Sequence, residues 1–334
     1  MADRVLMERL AAGVFDPPVA YRDLADFHLD FARLADEAPE AELRERAERR
    51  SGCCAVIGDS GAGKSSLIAA VAASLEPTRF PVRVQGVTTD DVLTREGFAL
   101  HLGRETLRAL EEMPLAGPGG RRLRPAREGL AAGRHQRSGG GSAQVAVPLT
   151  PEFRAQVATT AREVTEERDP VRVGQAVAEL VAVTEDLGRR LLLVVEDTDV
   201  FMPPDPINDA ERERPRRFVD QVLGYLAREF PSSALVAVNT RYAGLLPRAV
   251  VAQIHVPRIQ PHGMALLIEH YAARAGLRLR AGDVIEPEAL AYVAGRYAET
   301  RDLRRTLELL HRAARKVVGE DRGGRITVGV LHGL

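Results

Sequence analysis

The stretch from Cys53 to Leu75 constrains the fold more strongly than any other part of this 334-residue sequence. Residues 58–65 read GDSGAGKS and fit the pattern G-x-x-x-x-G-K-[ST] of a phosphate-binding loop. The apolar run CCAVI before the loop predicts a buried parallel strand, and the run SSLIAAVAASL after it predicts a buried helix. The sequence therefore predicts an α/β fold in which helices sandwich a parallel sheet.

The residues of this loop are candidates for binding the phosphates of a nucleotide. Glycines allow successive backbone N–H groups to point at one anion, and the start of the next helix adds a partial positive charge. The chain has 46 lysines and arginines, but its only lysines are Lys64 and Lys316. A lysine at position 64 indicates a compact ammonium group where a planar guanidinium would not fit, and the alternative is a chance glycine-rich turn. The candidate phosphate-binding residues are Gly58, Asp59, Ser60, Gly61, Ala62, Gly63, Lys64, Ser65 and Ser66.

Composition argues against several other classes of protein. The formal net charge of −1 argues against a protein that coats nucleic acid through bulk charge. Cys53 and Cys54 are adjacent on the predicted strand, where they fit buried apolar positions and not a disulfide framework or a metal site. No apolar run reaches the roughly 18 residues of a membrane span, and acidic residues interrupt the N-terminus. We therefore expect a cytoplasmic protein with no membrane partner.

Two further predicted strands end in polar residues. The run from Leu191 to Val195 predicts a buried strand with Glu196 and Asp197 at its carboxyl end. Ligands of open α/β sheets bind at this edge, so one carboxylate can hold Mg²⁺ and the other can deprotonate an attacking water. Asn239 ends the strand in SSALVAVNTRY, where its amide can hydrogen-bond a terminal phosphate. The alternatives are solvated acids after a strand and ordinary turn chemistry at the asparagine.

The order of phosphate-binding loop, acidic strand, polar-tipped strand and helical C-terminal region resembles the AAA+ P-loop ATPases. Within them, the chain most resembles the Orc/Cdc6-type initiators and their bacterial relatives over Val19–Val318. The resemblance implies ATP and Mg²⁺ as cofactors and a small all-helical lid after the sheet. It places Walker A at 58–65, Walker B at Glu196 and Asp197, and sensor 1 at Asn239. It also implies Ser65 and Glu196 as magnesium ligands.

The same resemblance implies roles for residues outside these strands. VAYRDLADFHLDFARLAD is similar to the N-terminal segment that packs on adenine in the family, which implies Tyr21 and Arg22. YAGLLPRAVV resembles the stretch that presents an arginine finger to a neighbouring subunit, which implies Arg248, unless this is a solvated loop residue. ETRDLRRTLELLHRAARKVV resembles the lid helix that carries sensor 2, which implies Arg304. An ion pair with Glu308, four residues further along the helix, competes with that role.

The acidic pair departs from the usual order of the family. Most members place Asp before Glu, whereas here Glu196 precedes Asp197. A base at Asp197 is one methylene shorter, and a misplacement of about 1 Å can cost on the order of a hundredfold in rate. In a second register, Asp197 holds Mg²⁺ and Thr198 takes the position of the base, which would bury Glu196. We favour the first register, and both registers imply slow hydrolysis.

The chain divides into four predicted parts. Residues 1–50 predict a helical linker segment, 51–257 the ATPase core, 258–319 the helical lid and 320–334 a tail too short for a winged-helix domain. Within the core, PVRVQGV predicts a second strand beside the loop strand, and TREGFALHLGRETLRALEEM predicts an amphipathic helix. Further helices are predicted near Thr150–Glu167, Val171–Leu187, Pro261–Ala275, Pro287–Tyr297 and Thr300–Gly319.

Residues 115–147 have no apolar period and are rich in Gly, Pro, Ser and Arg, which predicts a mobile insertion. Its basic residues can contact the phosphates of nucleic acid, or the stretch is only a solvated linker. These basic residues are Arg121, Arg122, Arg124, Arg127, Arg134 and Arg137.

We expect an ATPase that binds Mg-ATP at the interfaces of a homo-oligomeric ring or spiral and acts as an ATP-gated assembly switch on a protein effector or client. The second hypothesis is a DNA-dependent transposition or initiation ATPase, which salt-dependent DNA binding would identify. The third is a nucleotide-binding scaffold that barely hydrolyses ATP and recruits an effector, for example in a bacterial conflict system. Association that depends on ATP without turnover would identify the third.

Overall fold

The computed structural model of the chain describes residues 2–15, 21–84, 90–113, 118–131, 170–196, 198, 202–203, 206–246, 250, 252–320 and 324–334. Its strands are β1 (Gly52–Gly58), β2 (Arg79–Val84), β3 (Arg190–Val195), β4 (Ser233–Asn239) and β5 (Ala252–His255). The helices before β3 are α1 (Ala2–Ala11), α2 (Tyr21–Phe27), α3 (Phe31–Leu34), α4 (Pro39–Glu48), α5 (Lys64–Leu75), α6 (Arg95–Glu111), α7 (Pro118–Ala131) and α8 (Pro170–Asp186). The helices after β3 are α9 (Asp209–Arg217), α10 (Gly224–Arg228), α11 (Pro261–Arg274), α12 (Ala281–Val284), α13 (Pro287–Thr300), α14 (Leu303–Gly319) and α15 (Val328–His332). Among these helices, none combines the length and apolarity needed to cross a membrane.

The described strands form one parallel sheet in the order β2-β3-β4-β1-β5. The central strands β3, β4 and β1 are almost completely buried. Continuous apolar runs of this kind are typical of parallel strands that helices cover on both faces. The structure thereby confirms the predicted parallel sheet sandwiched by helices, with a helical region after it.

The position of β2 corrects the expectation that the second strand lies beside the loop strand. β2 pairs with β3, with Val84 opposite Val195, and both β3 and β4 separate it from β1. The expectation failed because an apolar run indicates that a strand is buried but does not identify its neighbour. The acidic strand β3 therefore has β2 on one side and the asparagine-tipped β4 on the other.

Alternate side chains of the sheet pack into two apolar layers. On one face, Cys54, Val56 and Val194 pack with α5, the N-terminal helices and the C-terminal helices. On the other face, Cys53 and Ile57 pack in the layer formed by α6, α7, α8 and α10. Burial raises the pKa of both thiols, that of Cys54 to about 12, so the cysteines are protonated core residues.

Residues 118–131 of the predicted insertion form helix α7, so the interpretation that this stretch has no apolar period was wrong for them. α7 packs against α6 and α8 and buries Leu123, Ala126 and Leu130. These residues have the three- and four-residue spacing of a helical stripe, which the surrounding glycines and arginines obscure in the sequence.

Two arginines of α7 are engaged within the chain. Nε of Arg124 lies 3.0 Å from Oε1 of Glu128, and Arg127 forms an ion pair with Glu111 of α6. The following parts of the predicted insertion and its neighbour lie outside the described residues: the side chains of Arg121, Arg122, Arg134 and Arg137, and the helix expected over Thr150–Glu167.

The C-terminal helices α11, α13 and α14 match the three helices predicted for the lid. Both ends of the chain also pack into this region. Helix α1 lies against α14 and buries Leu10 completely. After α14, the amide of Ile326 donates to the carbonyl oxygen of Val284 at 2.8 Å, and its carbonyl oxygen accepts from Glu286 at 3.0 Å. The lid thus includes residues of the predicted tail.

The lid contacts the N-terminal segment at Gly263 of α11. The carbonyl oxygen of Leu34 accepts a hydrogen bond from the amide of Gln260 at 2.8 Å. A Cβ atom at Gly263 would lie only 2.4 Å from the same oxygen. Glycine is therefore what allows α11 to approach the backbone of the N-terminal segment so closely.

We predict opposite effects on stability for Gly263→Ala and Gly295→Ala. A Cβ at the exposed Gly295 of α13 would meet no atom within 4 Å. Alanine there should raise the free energy of unfolding by about 0.5–1 kcal/mol, because glycine loses more backbone entropy in a helix. Gly263→Ala should lower it by about 1–3 kcal/mol, because packed backbone has to move. Urea unfolding measures both values, and a stabilising Gly263→Ala would contradict the close contact.

Candidate functional site

The phosphate-binding loop joins β1 to α5, as its motif predicts. Gly61 and Gly63 have φ angles of +76° and +99°, in the left-handed region that favours glycine. Gly63, the N-cap residue of α5, makes no side-chain hydrogen bond that would cap the helix, so the first amide groups of α5 are available to an anion. The ammonium group of Lys64 donates to the carbonyl oxygens of Gly58 and Asp59, each at 2.9 Å. The loop therefore curls around this cation.

Asn239 lies directly beside the loop. The register of β1 with β4 pairs it with Gly58, and its side chain is buried. Its Oδ1 accepts a hydrogen bond from the amide of Arg241 at 3.1 Å, while its Nδ2 lies 3.5 Å from Oγ of Ser60. The first contact orients the side-chain amide so that its donor group faces the loop.

Glu196 lies at the carboxyl end of β3, but its side chain is fully buried. Its Oε2 accepts a hydrogen bond from Nε of Arg83 on β2 at 3.1 Å. Among the described residues, Thr198 lines the cavity beside the loop and Glu196 does not. The hydroxyl of Thr198 donates to the carbonyl oxygen of Ala237 at 2.7 Å. Glu196 is thus buried, as expected for the second register, in which Asp197 holds Mg²⁺ and Thr198 takes the position of the base.

Two predicted residues of this edge, Asp197 and Arg248, lie outside the described part of the chain. Conversely, no sequence motif indicates a role for Arg83. The one indication in the sequence is that Arg83 is a cation inside the apolar strand PVRV. The partner of Arg83 could not be predicted, because the sequence does not identify β3 as the neighbour of β2.

A cavity of about 200 Å³ opens between the loop, the N-terminal segment and the lid. Lys64, Ser65 and Ser66 contribute polar groups to its lining. Its apolar wall consists of Leu24, Phe27, Leu29, Phe31, Leu34, Ile259, Leu267, Tyr271, Leu303 and Leu307. The side chains of Tyr21 and Arg22, which begin α2, lie outside the described residues. A wall of this kind can accommodate the flat face of a base next to a phosphate site.

His28 connects the N-terminal segment to the phosphate-binding helix. Its Nδ1 lies 3.2 Å from Oγ of Ser66 on α5, and its Nε2 lies 2.9 Å from Oε1 of Glu40 on α4. The amide of Phe31 also donates to this carboxylate, at 2.8 Å. Burial alone would raise the pKa of Glu40, but the hydrogen bonds from His28 and Phe31 lower it below its ordinary value. No sequence motif indicated this group, because its members meet only in the folded chain.

Arg304 of α14 lines the same cavity as Lys64. It forms no ion pair with any described residue, so the competing pair with Glu308 is not formed. The first turn of α14 contacts the loop directly, since the amide of Leu303 donates to the carbonyl oxygen of Gly61 at 3.0 Å. The structure thus brings six residues of the loop and Arg304 together around one cavity, namely Ser60, Gly61, Gly63, Lys64, Ser65 and Ser66. Asn239 lies beside the loop, next to Gly58 and Ser60, but among the described residues it does not line the cavity.

This parallel sheet and the loop between β1 and α5 define a P-loop NTPase. The model of the family described as novel STAND NTPase 1 (nSTAND1) matches residues 31–330, and the chain belongs to this family. No curated protein sequence matches the chain.

Solved structures of two archaeal proteins are similar to this chain. The Orc1 protein of Aeropyrum pernix, solved in complex with DNA, has a TM-score of 0.50 and 15% identity; the match covers 96% of this chain and 67% of that one. The Orc2 protein of the same organism in its ADP form has a TM-score of 0.47 and 16% identity, with coverage of 96% and 70%. At this identity, the similarity to Orc1 shows a shared fold.

Proposed function

We propose that the chain binds Mg-ATP in the cavity beside the loop, hydrolyses it slowly and uses it to control its own assembly. One observation supports this most directly. A single cavity is lined by the phosphate-binding loop, by apolar side chains of the N-terminal segment and the lid, and by Arg304. A nucleotide is a ligand with the matching sequence of charged phosphates and apolar base.

The described residues fit the phosphates well. Left-handed glycines and the uncapped start of α5 present backbone N–H groups, and Lys64 would exchange two loop carbonyls for phosphate oxygens. Arg304 would contact the terminal phosphate from the lid side. Asn239, beside Gly58, would orient the attacking water. Tyr21 and Arg22 remain the proposed additional contacts to the base.

The fit to Mg²⁺ rests on fewer described groups. The hydroxyl of Ser65 lines the cavity, but Glu196 is buried and engaged by Arg83. This supports the second register, in which Asp197 with Ser65 holds Mg²⁺. When bound, the ion would neutralise charge that develops on the phosphates. Thr198 then occupies the base position, and a hydroxyl that already donates to Ala237 is a poor base. Slow turnover follows.

We propose assembly because hydrolysis of ATP needs an additional arginine at the phosphates. Charge on the transferring phosphoryl group needs a further cation, and losing such an arginine costs about a thousandfold or more in rate. We propose that Arg248 supplies it to a neighbouring subunit. A contact in which each subunit gives a residue to the next is heterologous, so it generates rings or spirals of this chain. ATP would then favour assembly by binding the assembled state more tightly.

The alternative functions receive unequal support. A scaffold that barely hydrolyses ATP and recruits an effector agrees with the burial of Glu196 against Arg83. DNA-dependent activity is supported less, because Arg124 and Arg127 are engaged by glutamates of the same chain. The DNA in the Orc1 structure still makes salt-dependent DNA binding worth measuring.

We predict that Lys64→Ala weakens ATP binding by about a hundredfold or more, because charge-assisted contacts to phosphate are lost. Lys316→Ala provides a matched control, since Lys316 is the other lysine and its ammonium group donates to Gly333 at the C-terminus. This control should bind ATP like the wild type. Calorimetric titration measures the affinities, and circular dichroism checks that both variants fold. Equal affinities for ATP in the two variants would refute the assignment of the loop.

We predict that mixing Lys64→Ala with Arg248→Ala subunits restores part of the ATPase activity. Each variant alone should be inactive, because one lacks the phosphate lysine and the other the finger. Mixed assemblies contain some interfaces with an intact loop on one side and an intact Arg248 on the other. A steady-state ATPase assay measures the recovered activity, and a sample that contains only Lys64→Ala is the control. No recovery, together with a monomer by light scattering in a non-hydrolysable ATP analogue, would refute the interface.

A further inference from the structure

The start of α14 rests on the phosphate-binding loop, and three consecutive residues make the contact. The amide of Leu303 donates to the carbonyl oxygen of Gly61 at 3.0 Å. Arg301 precedes it with a left-handed φ of +53°, and its Nη1 lies 3.7 Å from Oδ2 of Asp59. Between them, Asp302 lies against Gly61. The turn from α13 to α14 therefore contacts the apex of the loop at two positions.

Gly61 and Asp302 approach each other more closely than any other residue type at 61 would allow. A Cβ atom at Gly61 would lie 2.1 Å from Oδ1 of Asp302 and 3.3 Å from its Cα. The left-handed φ of Gly61 already favours glycine. Glycine at 61 is thus required both for the shape of the loop and for the space that Asp302 occupies.

Asp302 also builds the first turn of α14. Its Oδ1 accepts a hydrogen bond from the amide of Arg305 at 3.0 Å, which caps the helix, and Oδ2 lies 3.3 Å from Nε of the same arginine. Its carbonyl oxygen accepts from the hydroxyl of Thr306 at 2.9 Å. One short side chain therefore caps the start of the helix and also lies against Gly61 of the loop.

Arg304 lies within this turn and depends on it. Its side chain has no ion-pair partner among the described residues that would hold it in the cavity. Its position relative to Lys64 is therefore set by the backbone of α14. A displacement of about 1 Å of a reacting group can cost on the order of a hundredfold in rate.

We propose that Asp302 is a positioning residue, which docks the start of α14 on Gly61 and so holds Arg304 at the terminal phosphate of the nucleotide. This inference rests on the proposed function, because Arg304 has this role only if ATP is bound and turned over in the cavity. Asp302 touches no substrate and acts through Arg304.

A double-mutant cycle tests the proposal. Asp302→Ala should lower kcat for ATP by about tenfold to a hundredfold, as Arg304→Ala does, because both remove Arg304 from its place. The kcat of the double variant should lie within about threefold of the kcat of Arg304→Ala, because the effects of two residues that act through one group are not additive. Asp302→Asn should keep kcat within about threefold of the wild type, since asparagine caps a helix as well as aspartate does.

Thr94→Ala is the matched control for loss of a helix cap. Oγ1 of Thr94 accepts from the amide of Gly97 at 3.0 Å and caps α6, which packs in the opposite layer of the sheet. This variant should lose a similar amount of thermal stability as Asp302→Ala without a change in kcat. A merely structural role of Asp302 predicts instead that both cap variants behave alike in the ATPase assay.

Hydrogen exchange of the Leu303 amide provides a measurement that does not depend on turnover. In the protein without nucleotide, Asp302→Ala should speed exchange of this amide by about tenfold or more, because its bond to Gly61 opens, whereas Thr94→Ala should leave it unchanged. Unchanged exchange in Asp302→Ala, or losses in kcat that multiply in the double variant, would overturn the role of Asp302. A wild type that binds ATP without turnover would instead contradict the proposed hydrolysis and with it the catalytic part of this inference.

Discussion

The parallel register of β1 with β4 is the constraint on which the site depends. It sets Asn239 beside Gly58, at the point where the chain leaves the sheet and enters the loop. Because parallel strands present their carboxyl ends at one edge, the same register brings the end of β3 to this edge. The loop, Asn239 and the end of β3 therefore lie at the same edge of the sheet.

The cavity is completed by parts of the chain that are distant in sequence. The N-terminal segment and the lid supply the apolar wall, and both belong to the core layer that also contains α5. Two close approaches of backbone, at Gly263 and at Gly61, hold the lid against the rest. Under the proposed function, a change at the phosphates would reach this layer through these two contacts.

The sequence predicted those features that are local. The loop, its flanking strand and helix, and the lid helices follow from spacing and from glycine chemistry within a few residues. The pairing of Glu196 with Arg83 could not be predicted, because it depends on which strands become neighbours. Helix α7 was missed because a short stripe, Leu123 with Leu130, lies in a composition typical of loops. The contact of Asp302 with Gly61 joins two recognised motifs, but no pattern indicates that they touch.

Binding of ATP in this cavity is best tested by a structure of the protein with Mg²⁺ and a non-hydrolysable ATP analogue. We expect phosphates within hydrogen-bond distance of the first amides of α5 and of Lys64, the base against the apolar wall, and Arg304 at the terminal phosphate. We also expect Leu303 to remain bonded to Gly61. Nucleotide bound away from the loop, or Arg304 turned away from the phosphates while the nucleotide occupies the cavity, would refute the proposed site.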